Sequence, residues 1–156
     1  MFAKLTIAVV AAALALVHVK AETHTVSFTN NCGYGTPYLW GQNGVLYSSG
    51  EGSYTSDGPL LGLISYLQNG NCGNDGEGCT TVEATLENAS NSAADITLIS
   101  PHEFSVTSGF GFYGGCDGAG EDCTSADCPG AFTDPTNGLI VSCSEPNVNI
   151  AITFCD

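Results

Sequence analysis

Thr81-Val82-Glu83-Ala84-Thr85-Leu86-Glu87 alternates polar and apolar side chains without interruption. At a repeat of two, Val82, Ala84 and Leu86 share one face, while Thr81, Glu83, Thr85 and Glu87 take the other. That is the pattern of a half-buried strand. A helix would bring apolar residues together every three or four positions instead. The same alternation recurs toward the amino end, where Thr23-His24-Thr25-Val26-Ser27-Phe28 is also rich in β-branched residues. It recurs toward the carboxyl end, where Val148, Ile150, Ile152 and Phe154 form a stripe just before Cys155. Shorter candidate strands are 37–40, 45–47, 60–67, 95–99, 104–107 and 139–142, of which 60–67 also admits a helical period. Between them lie clusters expected to turn: 41–44, 50–52, 69–71 and the long glycine-rich stretch 109–120. The chain therefore reads as an all-β sandwich or barrel.

Residues 1–21 have the three parts of a secretory signal: Lys4, an apolar run over 5–17, and the small-residue end Val19-Lys20-Ala21. The run is shorter than the ~20 residues needed to cross a bilayer. The expectation is a secreted protein, extracellular or in a cell wall, whose single domain spans 22–156. Beyond Ala21 there is no lysine and no arginine, whereas all sixteen acidic residues lie there, a formal charge of 0 − 16 = −16. Without ammonium or guanidinium groups a chain cannot displace the counterions of phosphates, which argues against nucleic acid. The same lack argues against anionic membranes.

Eight cysteines, an even number, follow the signal. In an oxidising compartment they read as a disulfide framework, for which 105 pairings are open. No Cys-x-x-Cys occurs, and the remaining histidines, His24 and His102, lie far apart. Neither zinc nor any other cofactor is expected. Asp117, Glu121 and Asp122 cluster in a glycine-rich stretch, as do Asp75 and Glu77, but neither follows a calcium-loop pattern. No Gly-x-Ser-x-Gly accompanies the serines. His24 is expected to be a surface strand residue and His102 a hydrogen-bonded loop residue. Asn88-Ala89-Ser90 is an acceptor for N-linked sugar.

Four segments together resemble thaumatin-like proteins. The opening Thr25-Val26-Ser27-Phe28-Thr29-Asn30-Asn31-Cys32-Gly33-Tyr34, followed by Tyr38-Leu39-Trp40, resembles that family's first strands. Thr80 to Leu86 resembles its T-L-A-E-F-(S/T)-L block. Asp95-Ile96-Thr97-Leu98-Ile99 with Phe104-Ser105-Val106 resembles its D-x-S-x-(V/I)-x-G-F-N-(V/L)-P. The ending, Val141-Ser142-Cys143 through Ile150-Ala151-Ile152-Thr153-Phe154-Cys155, resembles its V-x-C … Y-x-(V/I)-x-F-C-P. The chain also resembles short secreted cysteine-rich proteins of mushroom-forming fungi, some labelled only as glycopeptides.

The resemblance implies a disulfide-stapled β-sandwich with the family's second domain reduced or absent. It implies the pairs Cys32–Cys155, Cys72–Cys79, Cys116–Cys143 and Cys123–Cys128. It also implies an acidic cleft associated with β-1,3-glucan binding or weak hydrolysis, in which Glu83 and Asp95 are the catalytic candidates. Glu83 matches the family's glutamate, Asp95 the aspartate opening the next strand, and Asp127 loosely a further aspartate. The family's arginine has no counterpart, and His102-Glu103-Phe104 stands where it reads D-G-F. Glycoside hydrolysis needs two carboxylates at a set separation with one protonated, which sequence does not fix, so binding is favoured over catalysis. Tyr38 and Trp40 offer flat faces for sugar rings beside Glu83, Asp95 and Asp127. The expected partner is a polysaccharide such as β-1,3-glucan or, as the alternative, a secreted or cell-surface protein, bound by a monomer.

Overall fold

The computed structural model describes residues 22–87 and 91–156. The segment 1–21, expected to be a secretory signal, and Asn88, the expected acceptor of N-linked sugar, lie outside the described residues. Among the described residues, eleven strands form two sheets packed face to face. One sheet has the order β4 (Gly52–Asp57), β1 (Thr23–Asn30), β11 (Asn149–Phe154), β8 (Ser108–Tyr113), β9 (Gly120–Cys123). The other has the order β10 (Val141–Cys143), β7 (Ser92–Thr97), β6 (Thr81–Leu86), β5 (Leu60–Gln68), β2 (Thr36–Gly41), β3 (Val45–Ser49). A 3₁₀ turn, Gln42–Gly44, links β2 to β3, with Asn43 left-handed at φ 62°.

Alternation decides what lies between the sheets. Val26 and Phe28 of β1, Phe110 and Phe112 of β8, and Ile150, Ile152 and Phe154 of β11 point inward from one side. Leu39, Leu63, Leu67, Val82, Leu86, Ala94 and Ile96 meet them from the other. Full burial of such a side chain contributes roughly 1.5–3 kcal/mol each.

The first and last strands run parallel, with Asn30 beside Phe154. Their ends therefore coincide, and Cys32 and Cys155, just beyond them, bridge with Cα atoms 5.0 Å apart. The remaining bridges are Cys72–Cys79, Cys116–Cys143 and Cys123–Cys128, the pairs the resemblance implies. Loop closure of this kind stabilises by about 2–4 kcal/mol per bridge, chiefly by restricting the unfolded chain. A second seam joins the sheets where Tyr47 of β3 stacks on Tyr54 of β4, ring centres 4.9 Å apart. A Cβ on Gly41 would collide with the Tyr47 ring, so only glycine leaves room for that stack.

The structure resolves one ambiguous sequence expectation, corrects two and adds a strand that the sequence did not announce. The ambiguous run 60–67 is a strand whose register shifts between Leu60 and Leu63, at left-handed Gly62 (φ 56°). The bulge lets Leu60 and Leu63 both face the core three positions apart, a spacing that imitates a helix. The glycine-rich stretch 109–120 is not all turn. Gly109 and Gly111 occupy the outer face of β8 while Phe110 and Phe112 fill the inner one. Segment 104–107 is not a strand, because its polar groups bond to a side chain. Thr80 Oγ1 donates to the Val106 carbonyl at 2.9 Å and accepts from the Ser105 amide at 2.9 Å. Finally, β4 carried no alternation to read: Gly-Ser-Tyr-Thr-Ser-Asp is polar on both faces, as an edge strand allows.

Candidate functional site

The register of the six-stranded sheet lays four residues in one row across its outer face: Trp40 opposite Ile64, Ile64 opposite Glu83, and Glu83 opposite Asp95. Directly opposed residues hold their Cβ atoms about 4.5–5.5 Å apart, so the two carboxylates face each other at close range. Asp95 is half-buried, and its carboxyl is pushed up to about 6, first by burial and then by the charge of Glu83. No lysine or arginine occurs anywhere in 22–156 to offset the pair.

Two open grooves meet at these carboxylates. One, of about 370 Å³, runs over Ile64, Glu83, Thr85, Ala93, Asp95 and Ile140. The other, of about 230 Å³, continues over Glu83, Asp95, Thr97, Ile99, Phe132 and Pro135. The far wall is the segment 130–140, fastened along β7 by Phe132. The Leu98 amide donates to the Phe132 carbonyl at 2.7 Å, and the Phe132 amide donates to Ile96 at 2.8 Å. An Asx-type turn stiffens the segment: Asp134 Oδ1 accepts from the Thr136 amide at 2.7 Å, and Asn137 Oδ1 accepts from the Thr133 amide at 2.9 Å. These bonds to Thr136 hold the exposed Asp134 carboxyl below its usual range. Leu139 and Ile140, at the end of this wall, are 48% and 56% exposed.

The aromatic candidates stand at the other end of the row. Tyr38 and Trp40 share the outer face of β2, ring centres 6.3 Å apart. Trp40 Nε1 donates to the Tyr66 hydroxyl at 2.9 Å, and that hydroxyl donates to the Asn74 carbonyl at 3.1 Å. Tyr66 is fully buried although it lies opposite Tyr38, because the Cys72–Cys79 loop folds over it. Burial pushes its phenol up. Trp40 is thus oriented by a hydrogen-bond chain and separated from Glu83 by Ile64. Asp127 sits elsewhere, on the exposed Cys123–Cys128 loop, and lines neither groove.

The other polar candidates have local roles. His24 is buried, not on the surface as expected, and its Nδ1 donates to the Val148 carbonyl at 2.7 Å. Its position in the alternation, two before Val26, places it on the inner face. His102 Nδ1 lies 3.1 Å from both the Gly76 carbonyl and Thr81 Oγ1, which ties the 100s loop to the Cys72–Cys79 loop. Since a carbonyl only accepts, Nδ1 carries the proton. Asp117 accepts from the Gly114 amide at 3.2 Å, and Glu77 from the Asp75 amide at 3.0 Å. Among the described residues, no three histidine, cysteine, aspartate or glutamate side chains converge as a metal site would require. Among them, too, no helix is long and apolar enough to cross a membrane.

Sequence reasoning placed Glu83 and Asp95 but missed Ile64, Phe132 and Ile140. The outward position of Ile64 follows only once the bulge at Gly62 is known. Phe132 and Ile140 come from a loop with no periodicity to read.

No family model and no curated protein matches the sequence. The fold does have counterparts among solved structures. The thaumatin-like xylanase inhibitor TLXI superposes with a TM-score of 0.52 at 18% identity, over 85% of this chain and 99% of its own. The protein elicitor MoHrip2 from Magnaporthe oryzae superposes with a TM-score of 0.55 at 16% identity, over 87% of this chain and all of its own. Both match along essentially their whole length. The chain therefore has the thaumatin-like fold, as an all-β sandwich stapled by four disulfides.

Proposed function

We propose that this is a secreted recognition protein of the extracellular defence or interaction kind. Its docking site is the trough on the outer face of the six-stranded sheet, and its ligand is another protein. One observation carries the reading: the two grooves meet over Glu83 and Asp95, and exposed Ile140 lines the larger of them. Large aliphatic side chains left exposed beside a charged groove favour a protein contact, because a docking partner would take that apolar surface out of water. The two fold neighbours, a xylanase inhibitor and a protein elicitor, support it.

A second reading, recognition of β-1,3-glucan, draws on Trp40 and Tyr38 standing in the same outer face as the two carboxylates. Two assays separate them. Immobilised protein is exposed to extracellular fluid, beside an Ile140→Ser variant that removes the apolar rim. Soluble protein is passed over insoluble β-1,3-glucan. The proposal expects a protein captured by the native chain and released by Ile140→Ser, with flow-through on glucan. Retention on glucan that Glu83→Gln abolishes, with no protein captured, overturns it in favour of the second reading. Release of reducing sugar lost in Glu83→Gln would assign hydrolysis as well.

A further inference from the structure

We infer that the trough seats an arginine side chain projected by an apolar loop of the partner protein. This rests on the protein-docking reading above and names the chemistry that reading leaves open. Glu83 and Asp95 are opposed across adjacent strands at the junction of the two grooves, which makes two carboxylates reachable from a single point above the sheet. The planar fork of a guanidinium presents five donors and engages carboxylates at defined angles, which a point-like ammonium does not.

The walls fit the rest of such a side chain. Ile64, Ile140, Phe132 and Pro135 flank the carboxylates with apolar surface suited to an aliphatic stem. Ile140, 56% exposed, carries that surface out to solvent, where residues flanking the arginine would rest.

The charge balance points the same way. Among the described residues there is no lysine or arginine to offset the pair. A neutral ligand would leave the mutual repulsion of the two carboxylates in place, whereas a guanidinium removes it. Burial and Glu83 hold Asp95 up at about 6, so proton and guanidinium compete for the same pair. Binding of a cation there strengthens as pH rises through that value.

The test uses the whole folded protein and the capped tripeptide acetyl-Ile-Arg-Leu-amide, followed by amide chemical shifts. Controls replace arginine by its uncharged isostere citrulline, or by lysine. The expected result is saturable shifts at Glu83, Ala93, Asp95 and Ile140, at least tenfold weaker binding of the citrulline peptide, and several-fold tighter binding at pH 7 than at pH 5. Asp95→Asn, which relieves a buried charge and so keeps the fold, should weaken binding at least tenfold. Ile140→Arg, which offers the trough a cation from its own chain, should block it. Equal binding of the arginine and citrulline peptides, or shifts confined to other faces, overturns the inference. A lysine peptide binding as tightly as the arginine one overturns the choice of arginine. If Ile140→Ser abolishes protein capture while the arginine peptide fails to bind, this inference falls and the docking reading stands.

Discussion

The two outer faces of the sandwich are built by one rule and end with opposite chemistry. On the five-stranded sheet the outward positions are Thr25, Ser27 and Thr29 of β1, Ala151 and Thr153 of β11, and Gly109 and Gly111 of β8. They are small and uncharged, and where they interact they satisfy one another, as Thr25 Oγ1 and Thr55 Oγ1 do at 2.8 Å. Acid reaches this sheet at its margins, at Asp57 of the edge strand β4 and where Asp122 of β9 lies against Gly109 together with Asp156. On the six-stranded sheet the row is Trp40, Ile64, Glu83 and Asp95, with two carboxylates left to repel each other. Period-two alternation dictates what each sheet turns inward, but it places no demand on the outer residues beyond tolerance of water. A face that leaves like charges opposed where serine or threonine would serve sacrifices stability, and such sacrifices concentrate at working sites.

That comparison can be broken by mutation. The largest effects should come from the inner faces and be alike on both sheets. Ile152→Ala and Ile96→Ala, both buried, should each cost about 2–5 kcal/mol of unfolding free energy in guanidinium titrations. A cost under ~1 kcal/mol at one of them would mean that one sheet is not packed as described.

On the outer faces the sheets should diverge. Asp95→Asn should stabilise the protein at pH 7. The upward displacement of that carboxyl would be worth roughly 3 kcal/mol in full, reduced to about 1–2 kcal/mol because water reaches the groove and screens it. The sign follows from linkage. A carboxyl held higher in the folded chain than in the unfolded one favours folding while protonated. Native stability should therefore fall as pH rises from about 4 to about 6, and the fall should be shallower in Asp95→Asn. Asp122, raised by burial and then by Asp156, adds in the same direction. Melting temperatures that climb through this window at low salt would contradict the account.

Ser65 sharpens the comparison from inside the six-stranded sheet. Its hydroxyl is buried with no hydrogen-bond partner, so Ser65→Ala should stabilise by about 1 kcal/mol. The smallest effect belongs to the neutral face: Thr25→Ala should lie within about 0.5 kcal/mol of the native chain and leave every binding assay unchanged. A loss of binding there would place function on the wrong side of the sandwich.

The legible parts of this fold were those where side chains follow a strict period. β1, β6 and β11 announce themselves because every second residue is apolar and no bulge intervenes. The sequence missed β4 because both its faces are polar. It took β8 for a turn because glycine signals flexibility, although Phe110 and Phe112 kept the alternation. His24 was misjudged for the converse reason: its polarity outweighed a position that alternation puts in the core.

Local composition by itself determined that this chain is all-β, held by disulfides, and anionic without counter-cations beyond residue 21, because those properties depend on residue types and their period. Only the tertiary structure decided that Glu83 and Asp95 oppose each other in a trough, that Ile64 and the 130–140 segment wall it, and that Asp127 stays away. Those facts depend on strand order, on a one-residue shift at Gly62, and on backbone bonds at Phe132 that pin an aperiodic loop to β7. None of these is a property of any short stretch of sequence, since each is fixed by which distant segment supplies the hydrogen-bonding partner.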